Sequence, residues 1–281
     1  MPRCASRALL TVALLLAVVA PPPAQAARVI ALAPHLAELA CAAGGCDQLV
    51  GRVEHSDYPE SVRALPSVGD AFAINAERLL ALRPSLVLSW TGGTAPATVA
   101  QLRRLGMRVV EIDIRKLADI EAALRQLGRE LGHEATAEAE AQRFHDRLAQ
   151  LAVQYRDRKR LRVFFQIEAE PMFTVNRDSP ISEAITLCGG DNVFADLPQL
   201  SGALGREAVL ARDPDVVVWG RQDHSEGIEA FWRRWPSMRA TRGGHLYAID
   251  ADTLSRATPR MANGIAELCA AMDRARQQPP F

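Results

Sequence analysis

The sequence predicts an α/β protein of two lobes, each with a parallel sheet, joined by one long rigid helix and enclosing a ligand cleft between them. Three observations predict it. A twelve-residue phrase occurs twice, at Glu77–Leu88 and at Glu207–Val218, with Glu, Leu, Ala, Pro and Val at matching offsets. Each copy reads as a short helix, a proline stop and a strand, because proline cannot continue a helix and the Val/Leu run suits a parallel strand buried on both faces. Strands alternate with helical segments in both halves, the pattern of a parallel sheet. Between the halves, residues 135–158 are rich in Ala, Glu, Gln and Arg and hold no Gly or Pro. One element repeated in two halves gives two similar, Rossmann-like lobes, and two lobes leave a cleft.

The first lobe, 27–133, opens with a strand over 28–33. A helix follows and stops at Gly44-Gly45, and 48–53 is the next strand. Asn75 is placed to cap the helix that carries Glu77, since its side chain can accept from the free amides of a first turn. Strands at 86–90 and 108–112 flank a helix at 97–105. The connecting helix, 134–159, sets Phe144, Leu148, Leu151 and Tyr155 at helical spacing, which gives a strut stiffer than a Gly/Ser linker. An ordinary surface helix would show the same periodicity. The second lobe, 160–281, runs from a strand at 162–167 through Cys188-Gly189-Gly190 and the second copy of the phrase. A strand at 246–249 and a closing helix at about 259–274 complete it.

Residues 1–26 read as a cleavable export signal: Arg3 and Arg7, an apolar run over 8–20 too short to span a bilayer, then Ala24-Gln25-Ala26. The expected location is therefore the periplasm. A membrane anchor is the competing reading, and no cysteine follows the apolar run in a lipidation position. Removing the signal leaves 33 − 2 = 31 Lys+Arg against 33 Asp+Glu. That balance points to neither nucleic acid nor a membrane surface as partner. Cys41, Cys46, Cys188 and Cys269 remain, an even number that favours disulfides in an oxidising compartment. Three pairings are possible, and local Cys41–Cys46 with distant Cys188–Cys269 is preferred. No Cys-x-x-Cys pair or His cluster supports a metal site.

The chain carries no P-loop, no Gly-x-Gly-x-x-Gly after a strand, no Gly-x-Ser-x-Gly and no His-Glu-x-x-His. His55-Ser56-Asp57 holds triad residue types, but adjacent residues cannot relay a proton in triad geometry. The expectation is a binding protein, not an enzyme. Residues that follow strands support this. Trp90 ends a strand beside Gly92-Gly93, Phe173 follows the first strand of lobe two, and His55 and Phe72 lie in loops of lobe one. Asp252 and Arg256 follow the last strand. Ligands of open α/β sheets sit at the carboxyl ends of strands, where flat aromatics can cover a planar ligand. Each aromatic taken alone is as well explained by core packing.

These segments carry a family resemblance over essentially the whole mature chain. Arg28–Pro34, Ser56–Pro59, Asn75–Arg78, Trp90–Gly93, Cys188–Asn192, Arg206–Ala211 and Arg256–Arg260 resemble the class III periplasmic substrate-binding proteins of ABC importers. Trp90-x-Gly-Gly, the Cys188/Cys269 pair and the Arg256 segment are similar to the cobalamin-binding members. The resemblance implies a monomer that holds cobalamin or a related corrinoid in the cleft as transported ligand, with no catalytic cofactor. Trp90 and Phe173 would line the corrin pocket, Asp252 and Arg256 would contact its polar periphery, and Cys188 would pair with Cys269. Glu77 and Glu207 would dock on the permease dimer of the importer. The chain departs from the cobalamin pattern at His55, which replaces a tyrosine, at Ala71 beside Phe72, and near Ser201, where tryptophans are expected. Cys41 and Cys46 are additions. The same scaffold serving haem, ligated by His55 or Tyr58, or an iron siderophore is the first alternative. An exported enzyme is the second.

Overall fold

The computed structural model describes residues 27–70, 73–222 and 225–278. The expected export signal and Phe72 lie outside the described residues. The first lobe contains β1 (Val29–Ala31), α1 (Pro34–Ala42), β2 (Leu49–Arg52), α2 (Glu60–Arg63), α3 (Ala76–Ala81), β3 (Leu86–Trp90), α4 (Pro96–Arg104), β4 (Val109–Ile112) and α5 (Leu117–Leu131). Helix α6 (Glu134–Tyr155) follows. The second lobe contains β5 (Leu161–Gln166), β6 (Phe173–Val175), α7 (Pro180–Leu187), β7 (Gly190–Asn192), β8 (Ser201–Ala203), α8 (Arg206–Arg212), β9 (Val216–Arg221), α9 (Glu226–Arg233), α10 (Arg239–Arg242), β10 (Leu246–Asp250), α11 (Ala251–Leu254) and α12 (Met261–Gln277).

The two sheets have the same topology. The first runs β2-β1-β3-β4 and the second, read from its other edge, β7-β5-β9-β10. All the pairings within them are parallel. In each lobe the first strand lies beside the strand of the repeated phrase, β1 beside β3 and β5 beside β9. The repeat extends to its turn. Arg83 and Asp213, the residues before Pro84 and Pro214, both adopt the left-handed region at φ 46° and 43°. Few non-glycine residues do so, and two at matching offsets mark one turn used twice.

The helix starts follow from capping chemistry. Asn75 Oδ1 accepts from the Arg78 amide at 3.0 Å at the start of α3, and Ser179 Oγ accepts from Ile181 at 3.2 Å at the start of α7. Helix α5 was not anticipated. Its signal was present: Leu117, Ile120, Leu124, Leu127 and Leu131 are all buried, and Gly132 ends the helix at φ 75°. The antiparallel β6–β8 pair, whose strands are separated by α7 and β7, and the short helices α7 and α9 carry little local signal because each spans only three to eight residues.

Helix α6 buries Ala137, Ala141, Phe144, Leu151 and Tyr155 against α5 and α12. One apolar core runs through it, from Leu39 and Leu127 of the first lobe to Ile185 and Ile265 of the second. Close packing across both lobes on this side resists shear and makes α6 a rigid spine. Cys188–Cys269 ties the end of α7 to α12 with Cα atoms 4.8 Å apart, and Cys41–Cys46 closes the end of α1 at 4.0 Å. No helix among the described residues is long and apolar enough to cross a membrane.

Candidate functional site

The carboxyl ends of both sheets face a common cavity of about 310 Å³. Its walls come from both lobes: His35, Trp90 and Ile114 on one side, Ile167, Val175, Ser179–Ile181, Leu200 and Ser201 on the other, with Leu254, Ser255, Ala257 and Met261 alongside. The position follows from topology. In the first sheet the connections leave β1 toward β2 on one side while β3 and β4 lie on the other, so the crevice opens between β1 and β3. Such a switch point is where ligands of open sheets bind. His35 follows β1 and Trp90 ends β3, one from each flank of the crevice. Their rings meet edge to face, centroids 5.1 Å apart and planes 88° apart.

Trp90 owes its setting to the glycines that follow. A Cβ on Gly93 would lie 2.2 Å from the indole Cε3, and one on Gly92 would lie 2.8 Å from Nε1. The loop therefore closes over the indole only because both residues lack side chains. Thr94 fixes the strand end, its Oγ1 accepting from the Trp90 amide at 3.1 Å. His35 stands in the first turn of α1, after Pro34 at the first helical position. Its pKa is lowered from 6.5 to about 4, by burial first and by the charge of Arg256 second.

The polar rim is built across the lobes. Arg256 Nη1 donates to Asp57 Oδ1 at 2.5 Å, and its Nη2 meets Asp252 Oδ1 at 2.8 Å and the His55 carbonyl at 3.4 Å. Burial pushes the Asp57 carboxyl up, but the hydrogen bond and charge of Arg256 outweigh it and the pKa falls. A second cross-lobe contact lies below. Glu38 of α1, 2 % exposed, accepts from Thr258 and from both nitrogens of the Arg260 fork. Arg260 in turn lies over the Tyr58 ring, 3.7 Å from its centroid. On the opposite side Glu183 of α7 accepts from the Leu117 amide at 2.6 Å, capping α5 across the lobes.

The structure brings Trp90, Asp252 and Arg256 to the cleft. Phe173 is half-buried and lies outside the cavity lining, two residues before Val175 on the same face of β6. His55 is exposed, at φ 62°, and touches the rim through its carbonyl. The histidine on the cavity wall is His35, which sequence reasoning did not single out. Its only signal was its place after the first strand. Glu77 and Glu207 lie exposed in the first turns of α3 and α8. A backbone amide and Arg206 hold the Glu207 carboxyl below its ordinary range.

The family model described as periplasmic binding protein matches residues 29–253. The chain is 37% identical over 252 residues to the vitamin B12-binding protein of Yersinia pestis, covering 89% of this chain and 88% of that one. The crystal structure of the periplasmic vitamin B12 binding protein of Vibrio cholerae superposes with a TM-score of 0.83 at 32% identity, over 90% of this chain and 99% of that one. A periplasmic haem-binding protein from Pseudomonas aeruginosa superposes with a TM-score of 0.77 at 26% identity, over 91% and 95%.

Proposed function

This chain belongs to the periplasmic binding protein family, and we propose that it captures a corrinoid, cobalamin foremost, and delivers it to an ABC importer. Residues 1–26 would direct the chain to the periplasm and be removed. The observation that carries the ligand reading is the pairing of an apolar cavity at the carboxyl ends of two sheets with a charged rim at Arg256. The cavity is lined mainly by apolar side chains with a few serine hydroxyls, the composition of a small-molecule site. Trp90 offers a flat face to a planar ring, and Asp252 and Arg256 offer partners to amide side chains on its edge. Phe173, outside the present lining, would reach the ligand as the lobes part, and His55 would meet its periphery.

The enclosed volume is smaller than a corrinoid. Binding therefore parts the lobes at the rim, where Arg256 exchanges Asp57 for ligand contacts, while the packed α6 side stays fixed. Glu77 and Glu207 would meet two like basic sites on a permease dimer, one from each lobe. Charge pairing of this kind sets registration and encounter rate.

Haem is the second reading. The similarity to a haem-binding structure and a histidine on the cavity wall favour it. Titration calorimetry of the purified protein with cyanocobalamin tests the first reading. One corrinoid per chain is expected; no heat with cyanocobalamin, and saturable binding of hemin instead, would overturn it.

A further inference from the structure

His35 stands on the cavity wall beside the indole expected to face the ligand, yet neither of its ring nitrogens has a hydrogen-bond partner among the described residues. The ring is half-buried and its nitrogens remain reachable, open to water or to a ligand. The position is the first turn of α1, where Ala or Ser would serve the helix as well. The wall around it is mostly apolar, with hydroxyls only at Ser179, Ser201 and Ser255. His35 is the one imidazole on that wall. A neutral imidazole is a ready metal ligand through whichever ring nitrogen carries the lone pair.

The planes fit such a role. The His35 ring stands at 88° to the Trp90 indole. A flat macrocycle lying parallel to the indole would have the imidazole perpendicular to it, which is the orientation of an axial ligand. We infer that His35 supplies an axial nitrogen to the metal at the centre of the bound tetrapyrrole, cobalt in the corrinoid case. The inference rests on the corrinoid reading above. Such ligation adds affinity for corrinoids with an exchangeable axial ligand and is not needed by those, such as cyanocobalamin, whose axial positions are filled. The step is a ligand exchange: a water leaves cobalt, the nitrogen lone pair forms the new bond, and no electron or proton is transferred.

The test uses cobinamide, which lacks the nucleotide base, so any axial nitrogen must come from the protein. Electron paramagnetic resonance of the bound Co(II) form should show nitrogen splitting in the wild type. The pattern should change when the protein is labelled with 15N-histidine, and it should vanish in His35→Ala. His35→Ala should also weaken diaquacobinamide more than dicyanocobinamide, by about tenfold. Bound cobinamide with no nitrogen splitting in the wild type would overturn the inference and leave the capture reading intact. Splitting that survives His35→Ala but not His55→Ala would overturn it in favour of His55. Failure of every corrinoid to bind in equilibrium dialysis would overturn the capture reading and this inference together.

Discussion

Glu38 of the first lobe and Arg260 of the second form a two-pronged ion pair, Nε to Oε1 at 2.7 Å and Nη2 to Oε2 at 2.9 Å, although 222 residues separate them. The carboxylate is 2 % exposed and takes a further hydrogen bond from Thr258. Burying a charge is costly, and removing one partner strands the other. Arg260→Met should therefore destabilise the protein by about 3 kcal/mol, the lower end for a broken buried pair because Arg260 keeps some solvent contact. The double variant Glu38→Leu/Arg260→Met should recover most of that loss. Urea unfolding reads both. Equal losses in the single and double variants would mean that the pair is not the source.

The low pKa of His35 has a definite sign in acid. The unfolded ring titrates near 6.5 and the folded ring near 4. Between these values the unfolded state binds the additional proton, so stability falls as pH drops from about 6.5 to about 4 and levels off below. Above 6.5 the ring contributes nothing to the pH dependence. Ligand-free wild type should lose more stability between pH 7 and pH 4.5 than His35→Leu does, by chemical denaturation at each pH. Parallel losses would show that His35 titrates normally.

How far the sequence alone reached can be judged from particular residues. The repeat foretold two like lobes, because short-range features carry it: capping at Asn75, the proline stops and the Val runs. Trp90 was legible because it is a flat side chain ending a strand, where open α/β sheets hold their ligands. The rim was not. Asp57 and Arg256 lie 199 residues apart, and no local pattern announces a pair made only by folding. His35 was missed for the same reason, since its role depends on a wall contributed by the other lobe. Helix α5 was legible in principle, since Leu117, Ile120, Leu124, Leu127 and Leu131 recur at helical spacing.

Trp90 presents the largest flat surface in the cavity. Trp90→Ala should weaken corrinoid binding by about 1–3 kcal/mol, the scale for losing a large buried contact. Titration calorimetry with cyanocobalamin reads this directly. Unchanged affinity in both Trp90→Ala and Phe173→Ala would place the ligand elsewhere.

Glu77 and Glu207 occupy the same place in two equivalent helices. A carboxylate in a first turn is worth only about 0.3–1 kcal/mol to its helix, and Ser, Thr or Asp would also serve there. The double variant Glu77→Lys/Glu207→Lys should keep its fold and ligand affinity yet fail to stimulate the ATPase of the partner importer in proteoliposomes. Normal stimulation would remove the docking role. Lost ligand binding would make the two residues structural.

The cleft is proposed to select a corrinoid over other flat metal macrocycles. Equilibrium dialysis of the purified protein against equal concentrations of cyanocobalamin and hemin, read by the absorbance of what is retained, tests it most directly. A corrinoid spectrum at one per chain, with little absorbance in the Soret region, is expected. A retained Soret band with no corrinoid would contradict it.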